Sequence, residues 1–149
     1  MRKLSGKGPI VIIDCLCAVY ELARANRKFH KLPAGELVDH VRLPAAGSIV
    51  PADGQLNSKI AARIVERVAF AIPAIALRVP WRADCMVQAI AAQNWLGRYN
   101  IPSTMTIGVR KDAAAGFGAH AWLAVGDVLV TGGDISGYVA IEVSGGPDA

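Results

Sequence analysis

The chain has 149 residues, 53% hydrophobic and 19% charged, with a net charge of +4 and a sequence pI near 9.2. Such a composition belongs to one globular domain, long enough to bury its core without disulfides. The basic excess is spread along the chain and never forms a run of Lys and Arg, which argues against a nucleic-acid groove and for an acidic or flexible peptide partner.

Cys15, Cys17 and Cys85 are the three cysteines. An odd count with two in one apolar segment is not a disulfide framework, so a reducing, cytoplasmic setting is expected. No CxxC pair or Cys/His cluster has zinc spacing, and neither a metal nor another cofactor is expected. The apolar run from Pro9 to Val19 follows Arg2, Lys3 and Lys7 but is interrupted by Asp14, and no uncharged stretch is long enough for a membrane span.

In chain order, residues 10–28 predict an amphipathic helix with Ile12, Leu16, Val19, Leu22 and Ala23 on its buried face. Cys15 and Cys17 read as small core residues there. Pro33-Ala34-Gly35 marks a turn, and residues 35–42 a short helix with Leu37 and Val41 inward. His30 and His40 have no sequence partner that would make them ligands. The Pro- and Gly-interrupted stretch 44–55 predicts a loop. Asn57 or Ser58 caps the next helix, 59–77, with Ile60, Ile64, Val68, Ile72 and Ile75 inward and Lys59, Arg63, Glu66 and Arg67 outward. Pro73 is expected to kink or restart this helix, and Val79-Pro80-Trp81 to end it.

Asp84 is the expected N-cap of a third helix that begins with Cys85 and exits at Gly97–Asn100 before Pro102. Its buried or site-facing stripe reads Cys85, Met86, Ala89, Ile90, Ala92, Gln93 and Leu96. Beyond Pro102 the period becomes that of strands: 103–109, then a Gly/Ala loop over 111–118, then 119–125, a Gly126-Asp127 hairpin turn, 128–131, a Gly132-Gly133-Asp134 turn, and 138–143. Helices followed by an antiparallel meander define an α+β fold. The expected organisation is a single domain over 1–149, with a helical portion (1–79) and a chemically active core (80–143).

Two residues in this plan can carry chemistry, although by spacing alone Cys85 also reads as a core residue and His120 as a hydrogen-bonded strand histidine. A thiol has an ordinary pKa near 8.5 and becomes a nucleophile when a helix N-terminus and an imidazolium stabilise its thiolate. Cys85 has the first by position. His120, opening a strand, supplies the second if that strand packs beside the helix start. A third group must orient the imidazole, and Asp127 and Asp134 are the carboxylates downstream. An oxyanion site can form from the Cys85 backbone N–H and one more donor. Trp81 and Trp122 read as core or cleft aromatics, Gln88 as a surface residue one turn from Cys85, and Arg82 and Arg110 as receptors for a peptide carboxylate or surface charges.

The run Asp84-Cys85-Met86-Val87-Gln88-Ala89, then Tyr99-Asn100-Ile101-Pro102, then Ile107-Gly108-Val109-Arg110, then Ala119-His120-Ala121-Trp122-Leu123, resembles the transglutaminase-like cysteine peptidases of lasso-peptide biosynthesis. The likeness covers about residues 80–143 and rests on several short motifs in one order. It implies a transglutaminase-like or papain-like core and an enzyme that cuts the leader from a ribosomally made precursor. It further implies Cys85 as nucleophile, His120 as base, a macrolactam synthetase that closes the ring, and a separate small leader-binding protein that delivers the substrate. The family's third residue, an Asp about a dozen positions after the His, falls by count on Gly132. Asp134, brought in by a bulge at the two glycines, is the expected substitute in preference to Asp127 at its exposed turn. A dyad, a non-catalytic leader- or synthetase-binding module, and an acyl transferase are the alternatives.

Overall fold

A computed structural model describes residues 8–31, 54–112 and 116–141. Three helices, α1 (Gly8–Lys31), α2 (Gly54–Ala76) and α3 (Cys85–Gly97), precede four strands, β1 (Thr104–Asp112), β2 (Gly116–Val125), β3 (Val128–Thr131) and β4 (Val139–Ala140). This is the expected α+β architecture with an antiparallel sheet. The expected helix at 35–42, most of the 44–55 loop, His40 and the end of the last strand lie outside the described residues.

α3 is the hub. Val87, Ala89, Ile90, Ala91, Ala92, Trp95 and Leu96 are buried, and the helix packs on α1, α2, β2 and β3. A helix apolar on nearly all sides can only be stable when enclosed in this way. Its start is fixed by Asp84, whose side chain accepts the Val87 N–H at 3.2 Å, the expected cap. Its end is a left-handed Asn100 (φ 53°). There the Ile101 N–H bonds Leu96 O at 3.2 Å and the Asn100 N–H bonds Gly97 O at 3.1 Å. This paired closure, with Ile101 and Leu96 both buried, satisfies carbonyls that the helix itself leaves open and turns the chain sharply into β1.

The face that α1 buries differs from the expected one. Ile12 and Leu16 are 63% and 65% exposed, whereas Asp14, Ala18, Glu21, Leu22 and Ala25 are buried. These five recur at spacings of three and four, so they form one stripe. Two carboxylates are tolerated there because each meets an arginine from elsewhere in the helical part: Asp14 takes Arg67 Nε of α2 at 2.9 and 3.0 Å, and Glu21 pairs with Arg98 just past α3. Arg67, expected on an outward face, is therefore an inter-helix partner, and Asp14 holds its guanidinium above the ordinary value through the hydrogen bond. Ala18 and Ala25 keep the stripe low, which lets the neighbouring helices approach. Cys15 and Cys17 are half-buried rather than enclosed.

α2 runs through Pro73 without restarting. Its last turn is closed by Arg78, whose guanidinium donates to Ala74 O, and by the Arg78 N–H to Ile75 O at 2.8 Å. Among the described residues, no helix is long and apolar enough to cross a membrane.

The strand order is β3-β2-β1-β4, not a simple meander. β1 and β2 pair over their whole length, from Thr104↔Ala124 to Asp112↔Gly116. β3 returns along β2, but the register slips between Leu123↔Thr131 and Ala124↔Leu129, leaving Val130 as an extra residue. The chain then crosses to the opposite edge, where β4 pairs with β1 through Gly108↔Ala140 and Val109↔Val139. The crossing segment, 132–138, passes beside His120 and so determines its surroundings.

Candidate functional site

Cys85 is the first residue of α3, so its own N–H and that of Met86 open the helix with no intrahelical acceptor. The capping carboxylate sits immediately before it. Gln88, one turn on, is half-buried, and its Nε2 donates to Ala83 O at 2.7 Å, tying the helix start to the residue ahead of the cap. It lines the pocket rather than the outer surface. The signal was its spacing from Cys85, which also fits a surface residue; only the reach back to Ala83 separates the two.

His120 lies on β2, opposite Gly108 of β1. By strand alternation it shares a face with Trp122, while Ala121 and Leu123 occupy the other. β3 ends at Thr131, which pairs with Leu123, so β2 has no ladder partner on that side at His120. Gly132 leaves the sheet at this point with a left-handed φ of 116°, and its carbonyl oxygen lies 2.7 Å from His120 Nε2. The ring is flanked by Trp122, centroids 6.3 Å apart and planes at 34°, and by Tyr138 at 5.0 Å and 38°. The Arg110 guanidinium stands 5.0 Å from the Tyr138 centroid.

Cys85 and His120 open into one pocket of about 510 Å³, which Gln88 shares. Ala69 and Pro73 of α2, with Leu77 just past its end, form one apolar wall, and Leu129 to Gly133 form another side. The two candidate side chains are thus brought to a common cleft, though no hydrogen bond links them.

The carboxylates fall elsewhere. Asp134 does not reach His120. Its Oδ1 accepts the Ser136 N–H at 2.9 Å, and hydrogen bonding from Ser136, with a smaller contribution from Arg110, holds its pKa below the ordinary value. Asp127 is exposed in the β2–β3 turn. The expected bulge exists, but at Val130, ahead of the glycines, so it does not carry Asp134 back toward the histidine. Trp81 is half-buried against the helical core, with its Nε1 enclosed and without a protein partner. Tyr138 was not singled out by sequence, because an aromatic at a strand start gives no sign that the preceding loop folds it onto a histidine across the sheet. Among the described residues, no group of three or more His, Cys, Asp or Glu side chains is placed to hold a metal ion.

A capped helix led by cysteine packs on an antiparallel sheet that presents histidine to the same cleft. The chain belongs to the transglutaminase-like superfamily, whose family model matches residues 37–143. The match begins well before the motif-bearing half and takes in α2 and part of the segment ahead of it. No curated protein and no solved structure gives a significant match. The superfamily points to cysteine peptidase or acyl-transfer chemistry.

Proposed function

We propose that the protein is a cysteine peptidase that removes the leader from a ribosomally synthesised lasso-peptide precursor in the cytoplasm. The observation that carries the chemistry is the shared cleft: Cys85 at the first position of a capped helix and His120 at the free edge of β2 line one pocket. The ordered motifs from Asp84 to Leu123 support the narrower reading of the substrate. A separate leader-binding protein would deliver the precursor, and a macrolactam synthetase would use the released core peptide.

In this reading His120 takes the Cys85 proton, and the thiolate attacks the scissile carbonyl carbon. The helix terminus favours both the thiolate and the developing oxyanion through its unpaired N–H groups and dipole. The carbon–nitrogen bond breaks as the imidazolium protonates the leaving amine, which leaves a thioester. Water, giving its proton to His120, releases the acyl group as a carboxylate and regenerates the thiol. The apolar wall from α2 suits an extended peptide whose backbone runs past Cys85. Cleavage of the cognate precursor with its leader-binding partner, by wild type and Cys85→Ala, tests the proposal; undiminished cleavage by the variant refutes it.

The absence of a Cys85–His120 hydrogen bond favours a second reading, a binding module for the leader or the synthetase on the same scaffold. Iodoacetamide labelling at Cys85 no faster than a free thiol supports that reading. Product mass separates hydrolysis from acyl transfer to an amine.

A further inference from the structure

We infer that the backbone carbonyl of Gly132 fills the role of the orienting acid, holding His120 as the Nε2–H tautomer with Nδ1 as the base, and that Trp122 excludes any side chain from that position. The inference rests on the thiol-chemistry reading for its consequence but on geometry alone for its content.

A carbonyl oxygen only accepts, so the 2.7 Å contact requires Nε2 to donate. The neutral ring then carries its lone pair on Nδ1. When Nδ1 gains a proton, the Nε2–H bond persists, so the ring keeps one orientation in both charge states. A carboxylate would do the same and also offset the imidazolium charge; a neutral carbonyl orients without that offset.

Position 132 is closed to an acid for two independent reasons. A Cβ there would lie 2.4 Å from Trp122 Cβ and 3.1 Å from Trp122 Cα, and the second of these atoms is backbone, which no rotamer change can move. The φ of 116° is also a conformation that residues with a Cβ rarely adopt. The tight pairing of Trp122 against Gly132 is therefore what places a carbonyl, and not a side chain, against the imidazole. Asp134 is already committed to Ser136.

Tyr138 is the positioning residue that completes the cradle. Its ring sits 5.0 Å from that of His120, and Arg110 braces it in turn. With Gly132 at one end of the crossing segment and Tyr138 at the other, one loop holds the histidine from two directions.

The test uses the full-length chain labelled with ¹⁵N-histidine, with His120→Gln to assign the resonance. Two-bond ¹⁵N–¹H correlation at a pH where the ring is neutral reports the tautomer. The Nε2–H form is expected in wild type and in Asp134→Asn alike; a dominant Nδ1–H form in wild type, or a change of tautomer in Asp134→Asn, overturns the inference. Iodoacetamide labelling across pH, mapped to the Cys85 peptide, gives a second readout. Asp134→Asn is expected within about twofold of wild type. Tyr138→Ala is expected to lose the dominance of the Nε2–H form, and Tyr138→Phe to restore it. A tenfold loss of labelling in Asp134→Asn, or Tyr138→Ala with an unchanged tautomer, contradicts the scheme. The resonance experiment needs no substrate, so its outcome is separate from whether Cys85→Ala still cleaves a precursor.

Discussion

Gly108→Ala tests the packing that shapes the histidine's surroundings. A Cβ at 108 would stand 2.6 and 2.7 Å from the outer ring carbons of Trp122, Cη2 and Cζ3, and 3.0 Å from Val139 O on β4. Carbon atoms in contact normally rest near 3.5–4.0 Å, so the indole must withdraw by about 1 Å. Trp122 is buried, so its ring cannot withdraw freely. Overpacking of this kind costs about 1–3 kcal/mol, a sizeable part of a typical domain's stability. Urea denaturation of wild type, Gly108→Ala, Trp122→Phe and the double variant measures it. Phenylalanine lacks the outermost ring carbon, so the alanine should cost less in that background. A coupling of about 1 kcal/mol is expected, well above the ~0.3–0.5 kcal/mol scatter of independent sites. Additive free energies, or a Gly108→Ala variant as stable as wild type, would refute the claim that glycine is required beneath the indole.

Three further outcomes follow from other contacts. Asp84→Ala removes the cap of α3 and should cost about 1 kcal/mol, while slowing Cys85 alkylation, because the helix start loses order beside the thiol; chemical denaturation and peptide-mapped labelling check the pair. Arg98→Ala leaves Glu21 buried without its cation. Breaking such a pair costs about 3–5 kcal/mol when both partners are enclosed, and about 2–3 kcal/mol is expected here because Arg98 is half-exposed. Glu21→Gln with Arg98→Ala should recover part of that loss. Asp134 has its folded pKa lowered, so the stabilisation it gives to the 134–136 turn is present above its unfolded pKa and fades as pH falls through the folded value. The Ser136 amide resonance should therefore titrate below the ordinary carboxylate range, and a midpoint at or above that range would contradict the Ser136–Asp134 hydrogen bond.

Much of the site was legible because its signals are local. Asp84 before Cys85 is a helix start written in adjacent residues, and the cap forms as those residue types require. The Gly126-Asp127 turn and the β2–β3 hairpin likewise depend on a few neighbouring dihedrals. The Gly97–Asn100 exit before Pro102 was also readable, and within it Asn100 takes the left-handed conformation. What periodicity could not supply was the choice between competing faces. α1 offers a stripe of Ile12, Leu16 and Val19 and another of Asp14, Ala18, Glu21 and Leu22, and the second is buried because Arg67 of α2 and Arg98 just past α3 match its two carboxylates. No property of α1 alone announces those partners.

The same division holds at the histidine. The sequence by itself determined an α+β chain, a cysteine at a capped helix start and a histidine on the following sheet; the family resemblance added a glycine where an acid was expected. Only the tertiary structure decided what that glycine does. β4 crosses the sheet to pair with β1, the connecting segment is drawn past His120, and Trp122 occupies the space a side chain at 132 would need. Local rules govern a cap or a turn because bonded neighbours set the geometry. The orientation of His120 depends on Gly132, Trp122 and Tyr138, which share no local signature and meet only when the strands are registered.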